Sequence, residues 1–211
     1  MDAIDYYNSS PELKQLYDSR VRHYTIKQHT KLVYGQFFKY FDNIELPIKK
    51  ELFLAFLALH DIGKPIAEKS DNRNNQYIYT QLIIERTNIN WSTYSFTVTE
   101  KNIVLLLAST DCIGEFFQNK KDIQTVSREL YDLGQKSGLG IGQFFYLFMV
   151  YYQCDVAAYT ADAGGIKFLE HLFEYKNDSK VFDNNEKLLL FSNIYQTKYK
   201  ELKNIIYEHN I

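Results

Sequence analysis

His60 and Asp61 stand side by side at the end of an apolar run, in Ala58-Leu59-His60-Asp61-Ile62-Gly63-Lys64-Pro65. An imidazole nitrogen and a carboxylate oxygen together suit a divalent cation of the zinc, manganese, iron or magnesium range. Adjacent positions do not share a face of a continuing helix, so the two side chains can turn to one point only where the helix ends. Gly63 permits backbone conformations closed to other residues and Pro65 biases Lys64 away from helix, so the sequence predicts an ending there. The plainer reading of the pair alone is a helix C-terminus with a polar cap.

Two other positions carry matching chemistry. Thr25 and Gln28 stand in the capping-box relation, which predicts a helix from just after Thr25 to about Phe41 with His29 in its first turn. His29, Val33, Phe37 and Phe41 recur every four residues, so the imidazole lies on or beside the core-facing stripe, as a ligand or as a satisfied interior histidine. Asp155 interrupts a helix predicted over Ile141 to Tyr159 that is apolar nearly all round. Neither Lys nor Arg occurs between Lys136 and Lys167. A carboxylate buried there must be protonated, hydrogen-bonded to tyrosine hydroxyls or backbone amides, or bound to a metal, and a metal is the better explanation.

The elements that must position these residues are helical throughout. Pro11 to Ser19 reads as a first surface helix, and the terminus before it has no apolar core. Pro47 opens a helix through Phe53, Phe56 and Leu57 to His60, and Ile66 to Asn75 is polar, the natural lid over His60. A helix from Gln76 to Arg86 follows. Thr97 and Glu100 form a second capping box ahead of Ile103 to Ser109. Asp111 closes that apolar helix, Asp122 to Ser137 is a more polar one, and Gly138, Gly140 and Gly142 make a flexible connection. Ile166 to Tyr175 predicts a helix carrying His171, and Asp183 caps a final amphipathic helix containing Leu188, Leu189, Tyr199, Leu202 and Ile206. No segment alternates long enough to be a strand, so the expected class is all-α.

With 211 residues the chain is long enough for one well-buried domain. Eighteen Tyr and 15 Phe predict an aromatic core. The 24 basic against 26 acidic residues give no general attraction for a nucleic-acid backbone, so a long nucleic acid is not the expected partner. Cys112 and Cys154 read as buried, reduced thiols. Without a secretory signal, and with no apolar run long enough to cross a bilayer, a cytoplasmic protein is expected. The aromatic surface could support a homodimer.

The order His29, His60-Asp61, Asp155, with the extension His60-Asp61-Ile62-Gly63-Lys64, resembles the HD superfamily of metal-dependent phosphohydrolases. The resemblance covers most of the chain from His29 to Asp155. It implies a single compact HD-domain helical bundle over 1–211, with a ligand core at about 25–160 and C-terminal packing helices at 163–209. It also implies one divalent metal ion held by His29, His60, Asp61 and Asp155, with Asp61 serving catalysis as well. Lys64 would contact non-bridging phosphate oxygens or else be a solvated loop lysine. Asp111 would be a general base, a leaving-group acid, a partner of a metal-bound histidine, or a helix cap. Branches with two or three metals carry further histidines, whereas this chain has none between His60 and His171, which favours a mononuclear site. Tyr77 and Tyr79 stand where some relatives have a histidine. The expected substrate is a small phosphate mono- or diester, a nucleotide or a nucleotide-derived molecule. The alternatives are a non-catalytic nucleotide-binding regulatory module and, more remotely, an iron oxygenase.

Overall fold

The computed structural model describes residues 2–71 and 75–208. The chain is predominantly helical, and each sheet among the described residues is a two-stranded antiparallel hairpin. It forms two compact units: the first is Met1–Tyr34 with Ile48–Thr110, the second Gly35–Pro47 with Asp111–Ile211.

The first unit is built on α4 (Lys50–Leu59), in which every residue from Leu52 to Leu59 is buried. A helix apolar on all sides must be surrounded. It packs against α1 (Ala3–Asn8) and α7 (Val98–Leu107), while α2 (Pro11–Tyr17) packs on α1. The short hairpin β1 (Arg20–Val21) and β2 (Tyr24–Thr25) leads into α3 (Ile26–Gln36). There the capping box forms as its sequence requires: Thr25 N–H donates to Gln28 Oε1 at 2.9 Å and Gln28 N–H to Thr25 Oγ1 at 3.1 Å. A short α5 (Lys64–Lys69) packs on α6 (Gln76–Arg86), and α6 on α7. The Thr97–Glu100 box closes the start of α7 reciprocally.

Several expectations change here. The amino terminus adds a helix ahead of the one read as first, and Ala3, Ile4 and Tyr7 bury one face of this α1. Pro47 does not open a helix; α4 begins at Lys50, three residues on. The polar stretch expected as a loop over 66–75 starts as the end of α5, and 72–74 lie outside the described residues.

In the second unit the end of α3 runs into a π-helical turn, Phe37–Phe41. The long pair α9 (Ile123–Ser137) and α10 (Ile141–Ala157) forms its centre, joined through Gly138 and Gly140, both at positive φ. Asp122 caps α9 through Thr125 N–H at 2.8 Å. Gly134 allows the close approach: a Cβ there would stand 2.7 Å from Ile141 Cα. Around this pair lie α8 (Cys112–Phe117) and α11 (Asn193–Glu208), which turns Tyr199, Leu202 and Ile206 inward. Both cysteines are free thiols and buried. Among the described residues no helix is long and apolar enough to cross a membrane.

The segment expected as packing helices from 163 is largely not helical. Ile166 to Tyr175 contains one 3-10 turn, Glu170–Leu172, rather than a helix. Two hairpins follow, β3 (Tyr175–Lys176) with β4 (Ser179–Lys180) and β5 (Phe182–Asp183) with β6 (Leu188–Leu189). Asn177 and Asp178, both at positive φ, make the first turn, a two-residue geometry that matches strand twist. Asp183 is therefore a strand residue and not the cap of α11, and Leu188 and Leu189 face the core from a strand. The reason is tertiary: buried Gln153 of α10 donates to Leu189 O and accepts from Leu189 N–H, each at 2.7 Å, so the hairpin is hydrogen-bonded to the helix flank. A second anchor is the buried Lys180 ammonium, 2.6 Å from Asp162 Oδ1 and 3.1 Å from Gln36 Oε1.

Candidate metal centre

The carbonyls of α4 are held in place by side-chain donors. Trp91 Nε1 donates to Glu51 O at 2.9 Å, Tyr34 OH to Leu54 O at 2.5 Å, and Tyr17 OH to Ala58 O at 2.7 Å. Carbonyls in the last turn of a helix lack intrahelical partners, so the Tyr17 phenol satisfies one of them and fixes the helix end. Burial pushes the Tyr17 and Tyr34 phenols well above their ordinary pKa, so both remain donors.

His60 is the C-cap of this helix and makes use of the same carbonyl row. Its Nδ1 lies 2.7 Å from Leu57 O. A ring nitrogen facing a carbonyl must carry a proton, so the neutral imidazole presents its lone pair at Nε2. That atom stands 3.5 Å from Asp61 Oδ2, and His29 Nε2, from the first turn of α3, stands 3.5 Å from the same oxygen. The three side chains are buried, and the two imidazole rings lie 5.5 Å apart.

The helix ending differs in mechanism from the sequence reading. Gly63 has φ −84° and ψ −16°, an ordinary right-handed conformation, and Pro65 sits in the first turn of α5, where its missing N–H costs nothing. Hydrogen bonds from Ile62 N–H to Leu59 O and from Lys64 N–H to Asp61 O carry the chain directly from α4 into α5. What requires glycine at 63 is space. A Cβ would stand 2.3 Å from Thr80 N and 2.7 Å from Gln76 O, and Gly63 N–H donates to Thr80 Oγ1 at 3.1 Å.

Asp155 is half-buried on α10. His29, His60, Asp61 and Asp155 each offer one ligand atom, and these atoms lie within 4.8 Å of one another. The donor set fits a cation: ligands at about 2.1 Å from one ion stand roughly 3 to 4 Å apart in tetrahedral or octahedral geometry. The two 3.5 Å separations fall within that range. The four side chains form a group that can hold a divalent metal ion, and the spacing of His29, His60 and Asp61 already falls in the ligand range.

Lys64 reaches back from the start of α5, its Nζ 2.5 Å from Asp61 Oδ2, and is partly shielded from solvent. Asp111 does not close α7. It is the N-cap of α8, accepting from Gly114 N–H at 3.2 Å. On its own unit it shares a neighbour with Asp155: Tyr152, whose phenol is driven up first by burial and then by the charges of Asp111 and Asp155. The Cys154 thiol is likewise raised by burial and by Asp155, which leaves it inert. Sequence reasoning missed Thr80 and Tyr17 as supports of this centre. A lone Thr in an amphipathic helix and a Tyr in a short one give no signal of what they face.

No protein-family model matches this chain, and comparison with curated proteins and with solved structures returns no significant match.

Proposed function

We propose that the chain is a metal-dependent phosphohydrolase of the HD type, acting on a small phosphate mono- or diester, most simply a nucleotide or nucleotide-derived molecule. The observation that carries the reading is the convergence of His29, His60, Asp61 and Asp155. A divalent cation bound by them supplies a water of lowered pKa and a Lewis acid for a phosphoryl oxygen.

The chain's own contribution is positional and electrostatic. Leu57 O fixes the His60 tautomer, and the turn pinned by Thr80 aims Asp61 at both imidazoles. Lys64 brings its ammonium to Asp61 and is assigned to the non-bridging oxygens of the phosphate as a point charge. Asp111 is assigned to proton transfer at the attacking or leaving oxygen, with its cap hydrogen bond to Gly114 holding the carboxylate in place. A net charge of −2 supports a small substrate over a long nucleic acid.

The test is turnover of a panel of phosphomonoesters, phosphodiesters and nucleotides by the protein loaded in turn with manganese, zinc, magnesium, iron, cobalt or nickel, beside Asp61→Ala. Hydrolysis by the parent with at least one metal, lost in the variant, is expected. Equal inactivity of both across the panel overturns the reading. Nucleotide binding that is indifferent to chelator would replace it with a regulatory binding module.

A further inference from the structure

The oxygen of Asp61 that faces both histidines is the same one that holds Lys64. His29 Nε2 and His60 Nε2 approach Oδ2 at 3.5 Å each, and Lys64 Nζ approaches it at 2.5 Å. A divalent ion held by Oδ2 would have to share that oxygen with the ammonium. Like charges on one largely buried oxygen shift each other's equilibria by about ten- to a thousandfold. Asp61 is only 6% exposed, so little solvent intervenes to screen the conflict.

We infer that Lys64 is the resident cation of the metal-free centre: it neutralises Asp61 there, and metal binding displaces its ammonium toward the anionic substrate. The inference rests on the metal-centre reading above. Loading the centre and arming the phosphate-binding group become one event. A phosphate arriving before the metal meets a lysine already committed to Asp61; one arriving after it meets a released ammonium on the chain's own α5. The order of binding is metal first, and metal affinity is set below what the four ligands alone would give. The first turn of α5 makes the exchange mechanically simple, because Lys64 reaches Asp61 over one turn by a flexible four-carbon stem.

The experiment measures zinc and manganese binding by equilibrium dialysis for the parent, Lys64→Met, Lys64→Gln and Lys64→Arg, together with urea midpoints with and without metal. The expected result has two opposite signs. The two charge-free variants bind metal about ten- to a hundredfold tighter than the parent, yet are less stable than the parent without metal, because the Lys64–Asp61 ion pair is lost. Lys64→Arg stays close to the parent. The parent supplies a measurement that needs no variant: reductive methylation read by mass spectrometry should label Lys64 several-fold more after metal is added. Unchanged or weaker metal binding in both charge-free variants, or Lys64 labelling indifferent to metal, overturns the inference while leaving the metal centre standing. Absence of stoichiometric metal in the parent under all loading conditions overturns the metal centre itself, and this inference with it.

Discussion

Gly63 and Thr80 touch so closely that no side chain fits between them: the space where a Cβ would sit on Gly63 is 2.3 Å from the Thr80 backbone nitrogen and 2.6 Å from its Oγ1. Since the obstacle includes backbone, it cannot rotate away, and α6 must shift or the turn carrying His60 and Asp61 must. Gly63→Ala is expected to cost about 2–4 kcal/mol. Urea denaturation reads this directly; a midpoint equal to that of the parent would show that the two elements are not in contact.

Metal should stabilise the folded chain through its ligands. Anything that binds only the native state at about a hundred times its dissociation constant adds roughly 2.7 kcal/mol. A thermal midpoint that rises with the bound metal in the parent but not in His60→Ala or Asp155→Ala is expected, alongside stoichiometric metal by elemental analysis in the parent alone. A similar rise in all three proteins would place the metal elsewhere.

Tyr17 OH and Ala58 O are 2.7 Å apart in a buried setting. Tyr17→Phe keeps the ring and removes the donor, leaving a helix-end carbonyl unsatisfied, so a loss of about 1–3 kcal/mol is expected. Chemical denaturation of the variant beside the parent makes the comparison, and equal midpoints would remove Tyr17 from the supports of the site.

Asp162 gives the second unit an acid-sensitive anchor. Burial opposes its ionisation, but hydrogen bonds from Lys180 and Thr160 and the charges of Lys180 and Lys39 hold its carboxyl below the ordinary value. A folded-state pKa below the unfolded one means that the unfolded chain binds more protons through this window. The stabilisation is therefore complete above the unfolded value near 3.8 and is lost as pH falls through the lower folded value. Asp162→Asn should be less stable than the parent at neutral pH and should converge on it as pH falls through the lowered folded-state value of Asp162. A gap between the two that stays constant across acid titration would refute this assignment.

The candidate centre was legible in the sequence because the capacity to bind a metal is a property of residue type. His60-Asp61 at the end of an apolar helix, His29 in the first turn of a capped one and Asp155 in an apolar run announce themselves locally. The two capping boxes, Thr25–Gln28 and Thr97–Glu100, formed as read, since both depend on bonds spanning only three residues. So did the all-helical class, which follows from the 3.6-residue period.

Where pairing was long-range the sequence was silent or misleading. Apolar residues at 188 and 189 fit a helix as well as a strand, and only Gln153, 36 residues upstream, decides for the strand by bonding both backbone groups of Leu189. Asp111 suits the end of one helix or the start of the next, and the contact with Gly114 selects the start. At Gly63 the sequence identified the right residue for the wrong cause: its backbone angles suit any residue, while the approach of Thr80 excludes every side chain. Residue types and short periods are fixed along the chain itself. Which neighbour fills a given space, and which carbonyl a buried donor finds, is settled only when segments distant in sequence are packed together.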